Sequence, residues 1–131
     1  DEDTRAFDRI LAAFGLPKGS DAEKAARAKA ITEATKGAIN TPLRTMEVCV
    51  ESMALMQAMA ETGLPASVSD AGVGAVCARA GAIAGYLNIL INCSGLNDAD
   101  FKTKVLAKAE ALRSEAEALE ADVMRVTLSK M

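Results

Sequence analysis

Hydrophobic residues recur along this chain every three or four positions and almost nowhere alternate singly, which is the period of an α-helix and not of a strand. Phe7, Ile10, Leu11 and Phe14 fall at i, i+3, i+4 and i+7, so a first helix over 1–14 carries a single apolar face. Gly15-Leu16-Pro17-Lys18-Gly19 breaks it. Ser20 followed by Glu23 is a capping-box signature. It opens a second helix to about Asn40, whose inner side holds Ala26, Ala30, Ile31, Ala34, Ala38 and Ile39. Thr41-Pro42 predicts a further helix start, because proline suits the first helical position and not the interior. That third helix reaches about Thr62, where Gly63 is expected to end it in the left-handed conformation. A fourth helix spans about Asp70 to Cys93, and a fifth about Ala99 to Lys130. In the fifth, Val105, Ala109, Leu112, Ala116, Leu119, Val123 and Val126 form a coiled-coil-like seam. The pattern predicts an all-α, antiparallel bundle of about five helices in a single domain, 1–131.

The fourth helix departs from simple amphipathicity. From Ala71 to Cys93 it has one charged residue, Arg79, and Gly74, Ala78, Gly81, Ala82 and Gly85 give it small-xxx-small spacing. A membrane span would show such spacing at a pairing face. Arg79, Asn88, Asn92 and the absence of basic flanks argue against a bilayer. The expectation is a helix buried all round at the centre of the bundle, where small residues let neighbouring backbones or a flat ligand come close. So much apolar surface exceeds what five helices of one chain can cover, which predicts a homodimer or higher homo-oligomer.

Composition narrows the chemistry. The chain has 131 residues, enough for one core. Its only aromatics are Phe7, Phe14, Tyr86 and Phe101, so that core must be built from Ala, Leu, Ile, Val and Met. The net charge is -3, with both signs interspersed. Without a basic face or stacking aromatics, nucleic acid is not an expected partner. Cys49, Cys77 and Cys93 form no CxxC pair and sit in apolar runs, so reduced, buried thiols in a cytoplasmic protein are expected. There is no histidine, which removes His-based triads and His-ligated metals. A helix already under way at Asp1, with no initial Met, predicts that something precedes it in the natural protein.

Three clusters could carry chemistry. Ser69-Asp70 opens the fourth helix beside Ser67, Gly72 and Gly74, and reads either as a helix cap or as a corner whose open backbone amides receive a carboxylate or phosphate. Asn88 and Asn92, four apart, share one helix face and must either bridge helices or meet a polar ligand. Asp1-Glu2-Asp3 is a first-turn charge cluster from which one carboxylate can turn inward. Lys18, Lys24, Arg27 and Lys29 read as a solvated face, and the six Met residues as core filler.

Glu33-Ala34-Thr35-Lys36-Gly37-Ala38-Ile39-Asn40-Thr41-Pro42-Leu43, Ser67-Val68-Ser69-Asp70-Ala71-Gly72-Val73-Gly74 and Gly85-Tyr86-Leu87-Asn88-Ile89-Leu90-Ile91-Asn92 resemble formiminotetrahydrofolate cyclodeaminases. Asp1-Glu2-Asp3, Ala6-Phe7, Leu16-Pro17 and Glu23-Lys24 fit the same pattern, so the resemblance runs the length of the chain. The family includes the cyclodeaminase half of formimidoyltransferase-cyclodeaminase and a methenyltetrahydrofolate cyclohydrolase. Its members carry, upstream of this stretch, a helical segment with a Pro-Gly-Gly-Gly-Ser type loop that has no counterpart in these residues. The resemblance implies a dimerising helical bundle, outside the membrane, that takes a tetrahydrofolate derivative as substrate and has no bound cofactor or metal. The implied reaction, in one-carbon metabolism and histidine degradation, closes 5-formimidoyltetrahydrofolate to 5,10-methenyltetrahydrofolate and releases ammonia. Asp70 is then the principal acid/base or cation-stabilising carboxylate and Asp3 a second, with Ser69, Asn88 and Asn92 orienting the substrate. The alternatives are hydrolysis of the methenyl bridge, or a non-catalytic interaction module presenting the Val105–Val126 seam to a partner.

Overall fold

The capping box forms as its sequence requires: Ser20 Oγ accepts from Glu23 N at 3.2 Å, and Glu23 Oε2 accepts from the Ser20 and Gly19 amides at 2.8 Å each. The helix that starts there does not stop where expected. In the computed structural model, which describes Asp1–Met131, four α-helices replace the five predicted: α1 (Glu2–Phe14), α2 (Asp21–Thr62), α3 (Val68–Ser94) and α4 (Ala99–Ser129), with a 3-10 turn at Pro65–Ser67 and no strand.

Thr41-Pro42 is therefore not a helix start. Proline inside a helix gives up one backbone hydrogen bond and costs about 3 kcal/mol in isolation. Here Pro42 is buried within a 42-residue helix, and packing along both sides of it outweighs that local loss. Gly63 also behaves differently from expectation. Its φ of -71° and ψ of 179° are extended, not left-handed. What demands glycine is proximity, since a Cβ there would lie 2.4 Å from Met59 O.

Helix α2 packs against α1, α3 and α4, and α3 also packs against α4, whereas α1 packs only on α2. The α2–α3–α4 core is layered: Ile39, Met46, Ile89 and Val105 at one end, Met53, Ala82 and Ala116 in the middle, Ala60, Ala75 and Val123 at the other. The α4 seam lies inside these layers, with Val105, Ala109, Ala116 and Val123 buried, so it is not free to serve as a partner surface.

Helix α3 is not buried all round. Four helices cover only its α2 and α4 sides, and Val73, Leu87 and Ile91 stand outward, Ile91 with 70% exposure. Cys77 is exposed too, against expectation, while Cys49 is half-buried and Cys93 buried, all three free. By length and composition Pro65–Ser94 would suffice to cross a membrane. Its one basic residue is committed within the bundle: Arg79 Nε lies 3.2 Å from Glu120 Oε2, an ion pair without an aligned hydrogen bond.

The helix surfaces are tied by ion pairs whose carboxylates sit below their ordinary range. A hydrogen bond from Lys36 lowers Asp98, one from Lys108 lowers Glu47, and one from Arg113 lowers Glu110. A group lowered on folding stabilises the fold above its unfolded pKa, and that contribution fades as pH falls through the folded value. Thermal stability should therefore hold above pH 4.5, the ordinary glutamate value, and decline below it. Lys36→Gln should flatten the part of this decline that begins near 3.8, the ordinary value for Asp98. Melting temperatures across an acid series test this, and identical acid limbs for both proteins would refute the Lys36–Asp98 contribution.

Candidate functional site

Because α1 and α3 both pack on α2 while their backbones stay apart, a groove runs between them with α2 as its floor. The residues that open it are small. Gly81, Ala84 and Gly85 of α3 face Thr41, Pro42 and Thr45 of α2, leaving an open cleft of ≈ 280 Å³ with Asp3 at its α1 side and Asn88 at its α3 side. A narrower recess of ≈ 120 Å³ adjoins it, lined by Asp3, Phe7, Ile10, Ala38, Asn88 and Asn92. Asp3 and Asn88 belong to both spaces, so the two are one feature.

Three of the five expected site residues thus meet here. Asp3 lies in the first turn of α1, where the helix dipole favours a carboxylate. No hydrogen bond or ion pair engages its side chain. Asn92 Nδ2 donates to Asn88 Oδ1 at 2.7 Å and to Asn88 O at 2.9 Å. The pair does not bridge helices. Instead Asn92 holds Asn88, and Asn88 Nδ2 and Asn92 Oδ1 make no hydrogen bond within the protein, a free donor and a free acceptor on two residues that line the recess.

Ser69 and Asp70 lie elsewhere. Helix α3 begins two residues earlier than expected, with Ser67 as N-cap, and neither side chain makes a capping bond. Asp70 is exposed and unpaired. Ser69 borders a separate apolar groove of ≈ 260 Å³ with Gly72, Val76, Met124 and Leu128. At 1.5 Å per residue, Asp70 and Asn88 are about 27 Å apart along one rigid helix. Within one chain they cannot touch the same small ligand.

Gly81 and Gly85 are among the small residues whose spacing allows a flat ligand to come close, whereas nothing in the sequence marks Thr41 and Thr45 as groove residues, Thr41 with Pro42 signalling only a helix start. No group of three or more Asp, Glu or Cys side chains is placed to hold a metal ion.

A groove floored by small residues, with one free carboxylate and two mutually oriented amides in its walls, has the form of a small-molecule site. The chain matches the Formiminotransferase-cyclodeaminase family over residues 1–111. It is 42% identical over 130 residues to the methenyltetrahydrofolate cyclohydrolase of Methylorubrum extorquens, a match covering 99% of this chain and 62% of that protein. It is 34% identical over 116 residues to the formimidoyltransferase-cyclodeaminase of Sus scrofa, covering 88% of this chain and 21% of that one. The crystal structure of formiminotetrahydrofolate cyclodeaminase from Thermotoga maritima has the same fold, with a TM-score of 0.83 at 22% identity over 98% of this chain and 60% of that one. The chain belongs to the formiminotransferase-cyclodeaminase family. It spans about three fifths of the length of the Methylorubrum relative.

Proposed function

We propose that the α1–α3 groove binds a tetrahydrofolate derivative and that Asp3 exchanges protons at the one-carbon unit between N5 and N10, with Asn88 and Asn92 orienting the pterin edge. The observation that carries this reading is the convergence of those three side chains on one recess from two helices whose backbones stay apart. In a chain without histidine, a carboxyl group is the natural acid/base.

In hydrolysis of the methenyl bridge, Asp3 takes a proton from water as the oxygen bonds to the bridge carbon. A tetrahedral adduct forms, the same carboxyl group returns the proton to N5 or N10, and that C–N bond breaks as the adduct's hydroxyl releases its proton to solvent, leaving a formyl group on the other nitrogen. The 42% identity to a methenyltetrahydrofolate cyclohydrolase over nearly the whole chain favours this reaction. The second reading is cyclodeamination, favoured by the similarity to formimidoyltransferase-cyclodeaminases. There N10 attacks the formimidoyl carbon and its proton passes to Asp3. The exocyclic nitrogen is protonated in turn, and ammonia leaves with the methenyl cation behind. Either substrate can be offered to the full-length protein. Loss of methenyl absorbance without ammonia supports hydrolysis, ammonia release supports cyclodeamination, and neither signal from the folded protein sinks both.

Asp70 enters this proposal through a second copy of the chain. The outward face of α3 carries Val73, Cys77, Ala80, Ala84, Leu87 and Ile91, an exposed stripe with no charge and small residues at its middle. Two such helices crossing antiparallel near Ala80 would set Asp70 of the partner subunit against the Asn88–Asn92 end of the first. Light scattering should then show a dimer at micromolar concentration that Leu87→Glu converts to monomer. A monodisperse wild-type monomer would remove this role for Asp70.

A further inference from the structure

Pro42 is the only residue of α2 whose backbone nitrogen carries no proton. The helical hydrogen bond it cannot make is the one to Ala38 O, four residues earlier. No backbone donor from outside the helices replaces it. Thr35 Oγ1 and Thr45 Oγ1, on either side along α2, donate to Ile31 O at 2.8 Å and to Thr41 O at 3.1 Å. Ala38 is itself buried. A buried carbonyl without a protein donor takes its hydrogen bond from a water or a ligand.

The place of this oxygen follows from the helix, because a helical carbonyl points along the axis toward the residue four ahead. Ala38 lines the recess with Asp3, Asn88 and Asn92, and Pro42 lines the adjoining cleft with Asp3 and Asn88. The oxygen between them stands on the α2 floor where the two spaces join. At ≈ 120 Å³ the recess has room for a few waters of about 30 Å³ each. An ordered water is held by about two to four polar partners. Asp3, Ala38 O and the two asparagines supply them.

We infer that Ala38 O, left unpaired by Pro42, holds the water that attacks the one-carbon bridge, with Pro42 as a positioning residue. This rests on the folate reading above, in its hydrolytic form. The water donates one O–H to the Asp3 carboxylate and the other to Ala38 O. Both protons are then engaged, and the lone pairs of the oxygen are left for the bridge carbon of a folate in the cleft. As the C–O bond forms, Asp3 takes the first proton. The second stays on the adduct's hydroxyl, still donated to Ala38 O, until it leaves to solvent as the C–N bond breaks. A carboxylate alone fixes one O–H and lets the water turn about it. The carbonyl removes that freedom, which raises the rate of attack and not the affinity for the folate.

The test is Pro42→Ala in the full-length protein, assayed on methenyltetrahydrofolate. Alanine restores the N–H that pairs Ala38 O within the helix, so the melting temperature should hold or rise. kcat should drop about five- to tenfold, the worth of one neutral hydrogen bond, with KM unchanged. Replacing Pro42 by lactic acid, the hydroxy-acid counterpart of alanine, removes the ring without restoring an N–H and should recover most of the lost kcat. In an Asp3→Asn background, Pro42→Ala should cost less than about twofold further, because both groups act on one water. Wild-type kcat in Pro42→Ala, equal losses in the alanine and lactic acid proteins, or full additivity with Asp3→Asn would each overturn the water seat. So would a raised KM at constant kcat, which would make Ala38 O a contact to the folate itself. Ammonia release in place of hydrolysis would overturn the seat as well, and none of these results touches the folate reading. A wild type that neither binds nor turns over the folate would overturn both.

Discussion

Asp3→Asn should lower turnover of the proposed one-carbon substrate by about 10²–10⁴-fold, the range that general acid–base catalysis by a positioned side chain contributes. It should do so without unfolding the protein. Asp3 is exposed and makes no ion pair or hydrogen bond, and substitutions at such positions change stability by about 0.5 kcal/mol or less. The amide keeps the shape of the carboxyl group and cannot carry its proton. kcat and kcat/KM should therefore fall together, as expected when an interaction made only in the transition state is lost. Asp70→Asn is the matched measurement. If the partner subunit brings its Asp70 to the groove, this variant also loses activity, and mixing Asp3→Asn with Asp70→Asn chains restores part of it by re-forming one intact site per dimer. Wild-type turnover in Asp70→Asn confines the chemistry to the α1–α3 groove of one chain. Wild-type turnover in Asp3→Asn removes the groove assignment itself.

Gly85→Ala should destabilise the bundle and narrow the groove at once. A Cβ at this position would stand 2.7 Å from Met46 Cγ and 2.9 Å from Pro42 O. The second contact is with backbone inside a long helix and has no cheap way to relax. Overpacking of this kind costs about 1–3 kcal/mol. Gly74→Ala, on the same helix, is the control. There the close atom is Met56 Sδ at 2.7 Å, the far part of a flexible side chain that can turn aside. Alanine is also preferred over glycine in a helix interior by about 0.5–1 kcal/mol. Gly74→Ala should be near neutral, and Gly85→Ala should melt earlier and raise KM, because Gly85 lines the cleft. Equal melting temperatures for the two variants would show that α2 and α3 approach less closely at Pro42 than the structure places them.

The helical class, the capping box at Ser20, the position of the α1–α2 break and the α4 core positions were legible because each rests on neighbours within one or two turns. Pro42 marks the limit of such neighbours: its local preference favours a helix start, whereas in the fold it is buried inside α2 with its carbonyl close beside Gly85. Gly63 was read through its conformational freedom, whereas the real demand is the nearness of Met59 O. The Asn88–Asn92 face was visible from spacing alone, but its companion was not. The resemblance ranks Asp70 ahead of Asp3, and no spacing within one helix can show that Asp3 shares a recess with Asn88 and Asn92.

What the residues by themselves determined is a histidine-free helical bundle, a family pattern along its whole length, and a helix with one charge between Ala71 and Cys93 and more apolar surface than one chain covers. These follow from periodicity, composition and short-range order. Only the tertiary structure decided that α1 stands apart from α3, that Asp3 faces Asn88 and Asn92 across that gap, and that Asp70 lies about 27 Å away on the same helix. Spacing within a helix is written in the sequence at 1.5 Å per residue. Which helices close together, and which leave a groove between them, depends on how small residues such as Gly81 and Gly85 let α2 and α3 close while α1 packs on α2 alongside them.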